Sequence, residues 1–185
     1  LDAQTALNYE IGIKSRPCPW LNYDLTGFLF DFENEIIRVG SALTNGQQTR
    51  HAGLEGTVTL SALTMAKSLF NAPVESWGDV TFGFNYTLLD TEFRKGPFKG
   101  NELPYAPNWH YNWALNYKHP IGLSANLVAE WVDEQFSSSD DSRVEKADGT
   151  TGVIPSYKVW NFNIGQDFND NFGVFFAITN LFDQK

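Results

Sequence analysis

Three carboxylates spaced by two, Asp31, Glu33 and Glu35, are the first residues in this sequence that invite a chemical reading. On an extended strand they share one face, where they could hold calcium or stand solvated or in salt bridges. A catalytic carboxylate pair needs two unlike environments across a cleft, one of which raises a pKa. Neighbours along one strand face lack that asymmetry. His51 beside Arg50 is the second candidate. His110 and His119 lie far along the chain, and the single cysteine, Cys18, sits in Arg16-Pro-Cys-Pro-Trp20. That spacing does not make a metal-ligand set, so a hydrogen-bonded wall histidine fits better. Asp140, Asp141 and Asp148 form a third group, without the Asp-x-Asp-x-Asp-Gly run and closing Glu of an EF-hand. No nucleophile–base pair stands out, so the expectation is a protein that is not an enzyme and holds neither cofactor nor metal.

The elements that would carry these residues follow a period of two. In Val80–Leu88, Val80, Phe82, Phe84, Tyr86 and Leu88 alternate with Thr81, Gly83, Asn85 and Thr87. One face is large and aromatic; the other is small and uncharged. A soluble sheet usually shows Lys and Glu on its outer face, whereas a transmembrane barrel turns large residues to lipid and small polar ones to the lumen. The pattern recurs at Tyr9, Ile11 and Ile13, at Leu54, Val58 and Leu60, and at Trp109, Tyr111, Trp113, Leu115 and Tyr117. It appears again at Ala125, Leu127, Ala129 and Trp131, and at Trp160, Phe162 and Ile164. Aromatic rings at strand ends suit a bilayer interface. An exposed sugar-binding platform, with Trp109, Trp113 and Trp131 on a β-sandwich, is the rival reading.

Composition sets limits. The 185 residues carry a net charge of −9, which argues against a nucleic-acid partner, and 15% are aromatic. No apolar run approaches the roughly 18 residues of a membrane helix. The only methionine is Met65. The sequence opens on Leu1 and stops just after a strand, so we expect a piece of a longer protein.

In order, the pattern predicts a first strand over 7–14 and a long strand from about Tyr23 to Val39. Phe28, Phe30, Phe32 and Ile36 are expected on its apolar face. A polar loop follows over 40–48, with the turn signal Asn45-Gly46, then a return strand over 49–60. A short helix is expected within 61–78, before Asn71-Ala-Pro73. Connections near 16–20, 118–122 and 169–171 are short; those near 40–48, 94–107 and 137–155 are long and polar. About eight antiparallel strands with tight turns at one end and long loops at the other describe an outer-membrane barrel layout.

Five segments also resemble one family. Asn8-Tyr-Glu-Ile-Gly-Ile13, Phe30-Asp-Phe-Glu-Asn-Glu-Ile36, Thr49-Arg-His-Ala-Gly-Leu-Glu55, Leu103-Pro-Tyr-Ala-Pro-Asn108 and Asn180-Leu-Phe-Asp183 are similar, in order, to strand motifs of TonB-dependent outer-membrane transporters. Thr49–Glu55 and Lys146-Ala-Asp-Gly-Thr-Thr-Gly-Val-Ile-Pro155 point to the ferric citrate branch. The resemblance implies an all-β fold, an antiparallel transmembrane β-barrel fragment supplying about eight of about 22 strands. The plug domain and the final strand would be absent from this stretch. It implies uptake of a ferric chelate, ferric citrate first, across the outer membrane of a Gram-negative bacterium. The implied partners are outer-membrane lipid and the TonB complex, reached through segments missing here, and the expected state is a monomer. A passive porin is the other transport reading. An anionic chelate wants Arg and amide donors at the lumen mouth, which makes Gln47, Gln48, Arg50 and Arg143 the candidate ligand residues.

Overall fold

The computed structural model describes every residue except 40, 41, 46, 75 and 185, and the backbone alone of residues 38 and 39. Its elements are β1 (Thr5–Cys18), β2 (Leu21–Glu33), β3 (Ile36–Val39), β4 (Ala42–Asn45), β5 (Thr49–Ser61), α1 (Ala62–Phe70), β6 (Asp79–Phe93), β7 (Trp109–Lys118), β8 (Leu123–Val132), β9 (Gln135–Phe136), β10 (Val153–Ile154), β11 (Tyr157–Asn169) and β12 (Phe172–Ile178). Eight of the strands form one open antiparallel sheet in the order β1-β2-β5-β6-β7-β8-β11-β12. Each strand pairs with the next long one in sequence. The remaining strands form two small hairpins, β3–β4 and β9–β10. A sandwich needs a second sheet facing the first, and the eight long strands make only one.

Register lets each face be followed across the sheet. Ile13, Leu25, Gly56, Tyr86, Tyr111, Trp131 and Lys158 form one cross-strand row. The residues one position along, Lys14, Asp24, Thr57, Asn85, Asn112, Glu130 and Val159, form the next row on the opposite face. Because the side-chain period is two, the apolar sets of β1, β5, β6, β7, β8 and β11 all emerge on one side. The polar side carries amide chains from strand to strand. Thr57 donates to Asn85 at 2.9 Å and Asn85 to Asn112 at 2.8 Å. Asn163 donates to Asn126 at 3.1 Å, and Asn126 in turn donates to Asn116.

Very little of this chain is buried. Among the described residues the buried apolar set is Ile37, Val74, Phe93, Leu103, Ala129 and Val132. Ile11 is 81% exposed, and Leu7, Tyr9, Ile13, Leu54, Leu88 and Leu115 are exposed on the same face. In water that face would be a large liability; against hydrocarbon it is what a spanning sheet requires. No helix among the described residues is long and apolar enough to cross a membrane.

Two expectations need correction. The strand expected from Tyr23 to Val39 ends at Glu33, because Asn34 takes a left-handed backbone (φ 57°) and turns the chain into the β3–β4 hairpin. Part of the 40–48 loop is therefore hairpin; residues 40, 41 and 46, including the glycine of the Asn45-Gly46 signal, lie outside the described residues. The second correction concerns parity. Phe28, Phe30 and Phe32 stand in register with Gly53, His51 and Thr49, on the polar side of the sheet. Tyr23, Leu25 and Leu29 supply the apolar face of β2 instead. The three rings line up along the strand, Phe28 tilted against Phe30 at 5.6 Å between centroids and Phe30 stacked on Phe32 at 6.1 Å. Gly53 makes room for Phe28: a β-carbon there would lie 2.6 Å from the tip of the ring. The helix within 61–78 forms as expected and ends at Asn71, whose left-handed backbone (φ 51°) returns its N–H to the Lys67 carbonyl.

Candidate functional site

The polar signals gather at the long-loop end of the sheet. Three connections meet there: 34–48, 94–108 and 133–156. They dock on one another. Ile37 from β3, Phe93 from the end of β6 and Leu103 form a small buried core, with Phe98 and Ala106 packed against it. The 94–108 loop closes on its own stem through Phe93 N–H to the Asn101 carbonyl and Gly100 N–H to the Phe93 carbonyl, each at 2.9 Å. It joins the 34–48 segment through Arg94 N–H to the Gln48 carbonyl at 2.7 Å. It joins the 133–156 loop through Tyr105 N–H to the Phe136 carbonyl at 2.9 Å, Asn101 Nδ2 to the Ser139 carbonyl at 2.9 Å, and Glu102 N–H to Asp141 Oδ2 at 3.1 Å. Apolar contacts with cross-loop hydrogen bonds give a cap that is one packed unit.

The three carboxylates of the opening motif part company. Asp31 accepts both Nε and Nη2 of Arg50, at 2.8 and 3.2 Å. Glu33 accepts Nε2 of Gln48 at 2.8 Å. Glu35, released from the strand by the turn at Asn34, accepts the Thr49 hydroxyl and lies 3.1 Å from His51 Nε2. Burial pushes the Glu35 carboxyl up, but the His51 and Thr49 hydrogen bonds and the His51 charge outweigh it and hold the group below its ordinary value. His51 is thus a wall histidine with a carboxylate partner. Among the described residues no His, Cys, Asp and Glu group is arranged to hold a metal.

The four ligand candidates fall into two places. Gln47, Gln48 and Arg50 lie together at the start of β5. Gln47 rests on Gly96, where an added β-carbon would sit 2.4 Å from its amide carbon. Gln48 and Arg50, with Asp31, Glu33 and Arg94, line a cleft of about 510 Å³. Arg50 stands in register with Leu7, Asp31 and Glu92, on the apolar side, while its neighbour His51 is on the polar side. Arg143 belongs to the 133–156 loop. It binds Glu134 at 2.6 Å and lies 5.6 Å from the centre of the Phe136 ring.

Arg94 opens the 94–107 connection, which the sequence marks only as long and polar. It lines the same cleft as Arg50 and pairs with Glu92 at 2.5 Å. Its position just past the last residue of β6, opposite the start of β5, was the available signal. Asp141 belongs to the aspartate group of the 137–155 loop, which lacks the EF-hand pattern. One of its oxygens, Oδ1, is buried without a hydrogen-bond partner. Burial raises its carboxyl above the ordinary value, the Glu102 N–H acting against this and the nearby Asp140 charge adding to it.

Comparison with known proteins gives a consistent picture. A family model described as TonB dependent receptor-like, beta-barrel matches residues 1–181. The chain is similar to the ferric enterobactin receptor PirA of Pseudomonas aeruginosa, 24% identical over 194 residues that cover 100% of this chain and 24% of that protein. It is also similar to the ferrienterobactin receptor of Escherichia coli K12, 24% identical over 195 residues, covering 100% of this chain and 24% of the relative. Among solved structures, it resembles the unliganded ferric citrate transporter FecA with a TM-score of 0.80 and 28% identity, over 97% of this chain and 26% of that one. The chain therefore spans about a quarter of the length of these relatives.

Proposed function

This chain belongs to the TonB-dependent receptor β-barrel family of the Gram-negative outer membrane, and from that premise we propose that it forms part of the wall and outer mouth of a receptor importing a ferric chelate, with ferric citrate as the cargo. The observation that carries the reading is the eight-strand meander matched over residues 1–181, with an aromatic face on one side and an uncharged amide face on the other. The aromatic face meets lipid. The amide face borders the lumen, where an uncharged wall lets a plug and a hydrated anion pass without trapping either. Energy comes from the TonB complex acting on other segments of the receptor. The receptor works as a monomer, and no bond is made or broken by these residues.

Likeness to a ferric citrate transporter structure supports citrate. Citrate carboxylates would engage the donors Gln47, Gln48 and Arg143, displacing the internal acceptors Glu33 and Glu134 that hold two of them; Arg50, paired with Asp31 on the apolar side of the sheet, faces away from the lumen. Curated relatives named for ferric enterobactin favour a second cargo, a ferric catecholate.

The test is a titration of the full-length receptor in detergent, following tryptophan fluorescence. Ferric citrate, iron-free citrate and a ferric catecholate are added in separate runs. Saturable quenching by ferric citrate alone supports the proposal. Quenching by the catecholate alone moves the receptor to the second cargo. Gln48→Ala and Arg143→Ala should each weaken binding while Arg50→Ala leaves it unchanged; unchanged affinities for the first two would remove these donors from the site.

A further inference from the structure

The aromatic residues that suggested a sugar platform share the apolar side of the sheet, and they are joined there by a cation. Trp109 and Tyr111 open β7, Trp131 is the penultimate residue of β8, and Lys158 is the second residue of β11. All four stand at the long-loop end, on the face that carries Leu54, Leu88 and Leu115. Trp109 and Tyr111 stack with centroids at 4.6 Å; Trp131 meets them edge-on at 5.0 and 5.6 Å. The exposed Lys158 lays its ammonium 3.6 Å from the centre of a Trp131 ring. No carboxylate pairs with Lys158 among the described residues. The Glu130 carboxylate is on the opposite face, held by His110 at 2.9 Å. Trp131 Nε1 is buried and also lacks an acceptor. The exposed ammonium thus has only the indole ring for company, and the indole N–H no acceptor, among the described residues.

A lysine on the lipid side of a barrel is tolerated only where its ammonium reaches the polar layer. At the long-loop end that layer faces outward. We propose that Trp109, Tyr111, Trp131 and Lys158 form a binding site for a phosphorylated glycolipid headgroup of the outer leaflet. The rings stack on a sugar face, and Lys158 takes the phosphate. The ring face alone would accept any sugar, and the ammonium restricts the choice to an anionic one. The assignment rests on the lipid-facing reading of this side and is independent of which chelate is carried.

The test uses the full-length receptor, purified in a non-ionic detergent. Bisphosphorylated lipid A, dephosphorylated lipid A and inorganic phosphate are titrated separately, with native mass spectrometry as the readout. Bisphosphorylated lipid A is expected to bind, and Lys158→Ala to weaken it about tenfold, as loss of a charged hydrogen bond predicts. Lys158→Arg should restore most of the affinity. Lys118→Ala, on the polar face at the other end of the sheet, should leave it unchanged. Lys158→Ala within twofold of the parent would overturn the proposal. So would equal binding of dephosphorylated lipid A, or inorganic phosphate bound at the same concentrations with the same Lys158 dependence, which would make this a free-anion site. A ferric citrate titration on the same preparation keeps the readings apart: lipid A binding without chelate quenching sinks the cargo assignment and leaves this one standing.

Discussion

Gly53 and Gly83 occupy the polar side of adjacent strands, β5 and β6, yet they should respond to alanine in opposite ways. A β-carbon on Gly53 would stand 2.2 Å from the Leu88 carbonyl oxygen and 2.6 Å from the tip of the Phe28 ring, where ordinary contact begins at 3.4 Å. The first obstacle is backbone, held in the β5–β6 ladder, and cannot rotate away. Relief has to come from spreading two strands whose hydrogen bonds fix their spacing at about 4.8 Å, and from pushing Phe28 off its tilted contact with Phe30. Overpacking of this kind costs about 1–3 kcal/mol. At Gly83 nothing lies within 4 Å of the added carbon. Alanine there fits, and by restricting the unfolded chain it stabilises by about 0.4–1 kcal/mol. The two variants should thus differ by roughly 1.5–4 kcal/mol. Urea unfolding of each full-length variant in lipid vesicles, followed by tryptophan fluorescence, measures the difference. If Gly53→Ala is as stable as Gly83→Ala, the placing of the Phe28 ring on the polar side, over Gly53, is wrong.

Two further predictions concern the cap. Glu35 is held below its ordinary value, so its contribution is complete above the ordinary glutamate range and is lost as pH falls through the lowered value. The melting-temperature gap between parent and Glu35→Gln should shrink as pH falls below about 5; a gap unchanged down to pH 3 would contradict the Glu35–His51–Thr49 arrangement. Asp141 shows the opposite sign. Its carboxyl is raised, so the folded loop loses stability as pH rises from the ordinary aspartate value through the raised one, and the loss persists at neutral pH. Asp141→Asn keeps an acceptor for the Glu102 N–H and tolerates the left-handed backbone (φ 49°). It should slow exchange of the Glu102 amide at pH 7, and faster exchange would count against the buried, unpaired oxygen as the cause.

The strands were legible because one face of nearly every one alternates cleanly, and that pattern survives without knowledge of neighbours. β2 misled because both of its faces are apolar in part, Leu25 and Leu29 against Phe28, Phe30 and Phe32. Local periodicity cannot choose between them. The choice comes from register: Tyr9 and Ile11 of β1 and Leu54 of β5 align with Leu29 and Gly27. The break after Glu33 depends on a left-handed Asn34, which a residue type permits without requiring. At the mouth, the sequence marks donors and acids but not their pairing. Arg50 meets Asp31, and Gln48 meets Glu33, across strand neighbours fixed only when the sheet assembles. The Ile37–Phe93–Leu103 core joins residues far apart in the chain, so no window of sequence contains it.

The interlocked loops also bear on how this surface can be recognised. Any protein that recognises the long-loop end would meet a patch assembled from three separate stretches of sequence rather than three independent tips. A synthetic peptide copying any one loop should therefore be a poor mimic of the native patch. Escape from such an agent by substitution at Leu103 or Asn101 would disturb the neighbouring loops as well, so successful escape should come as paired changes in two connections. The docking that preorganises the mouth thereby narrows the routes by which its exterior can vary.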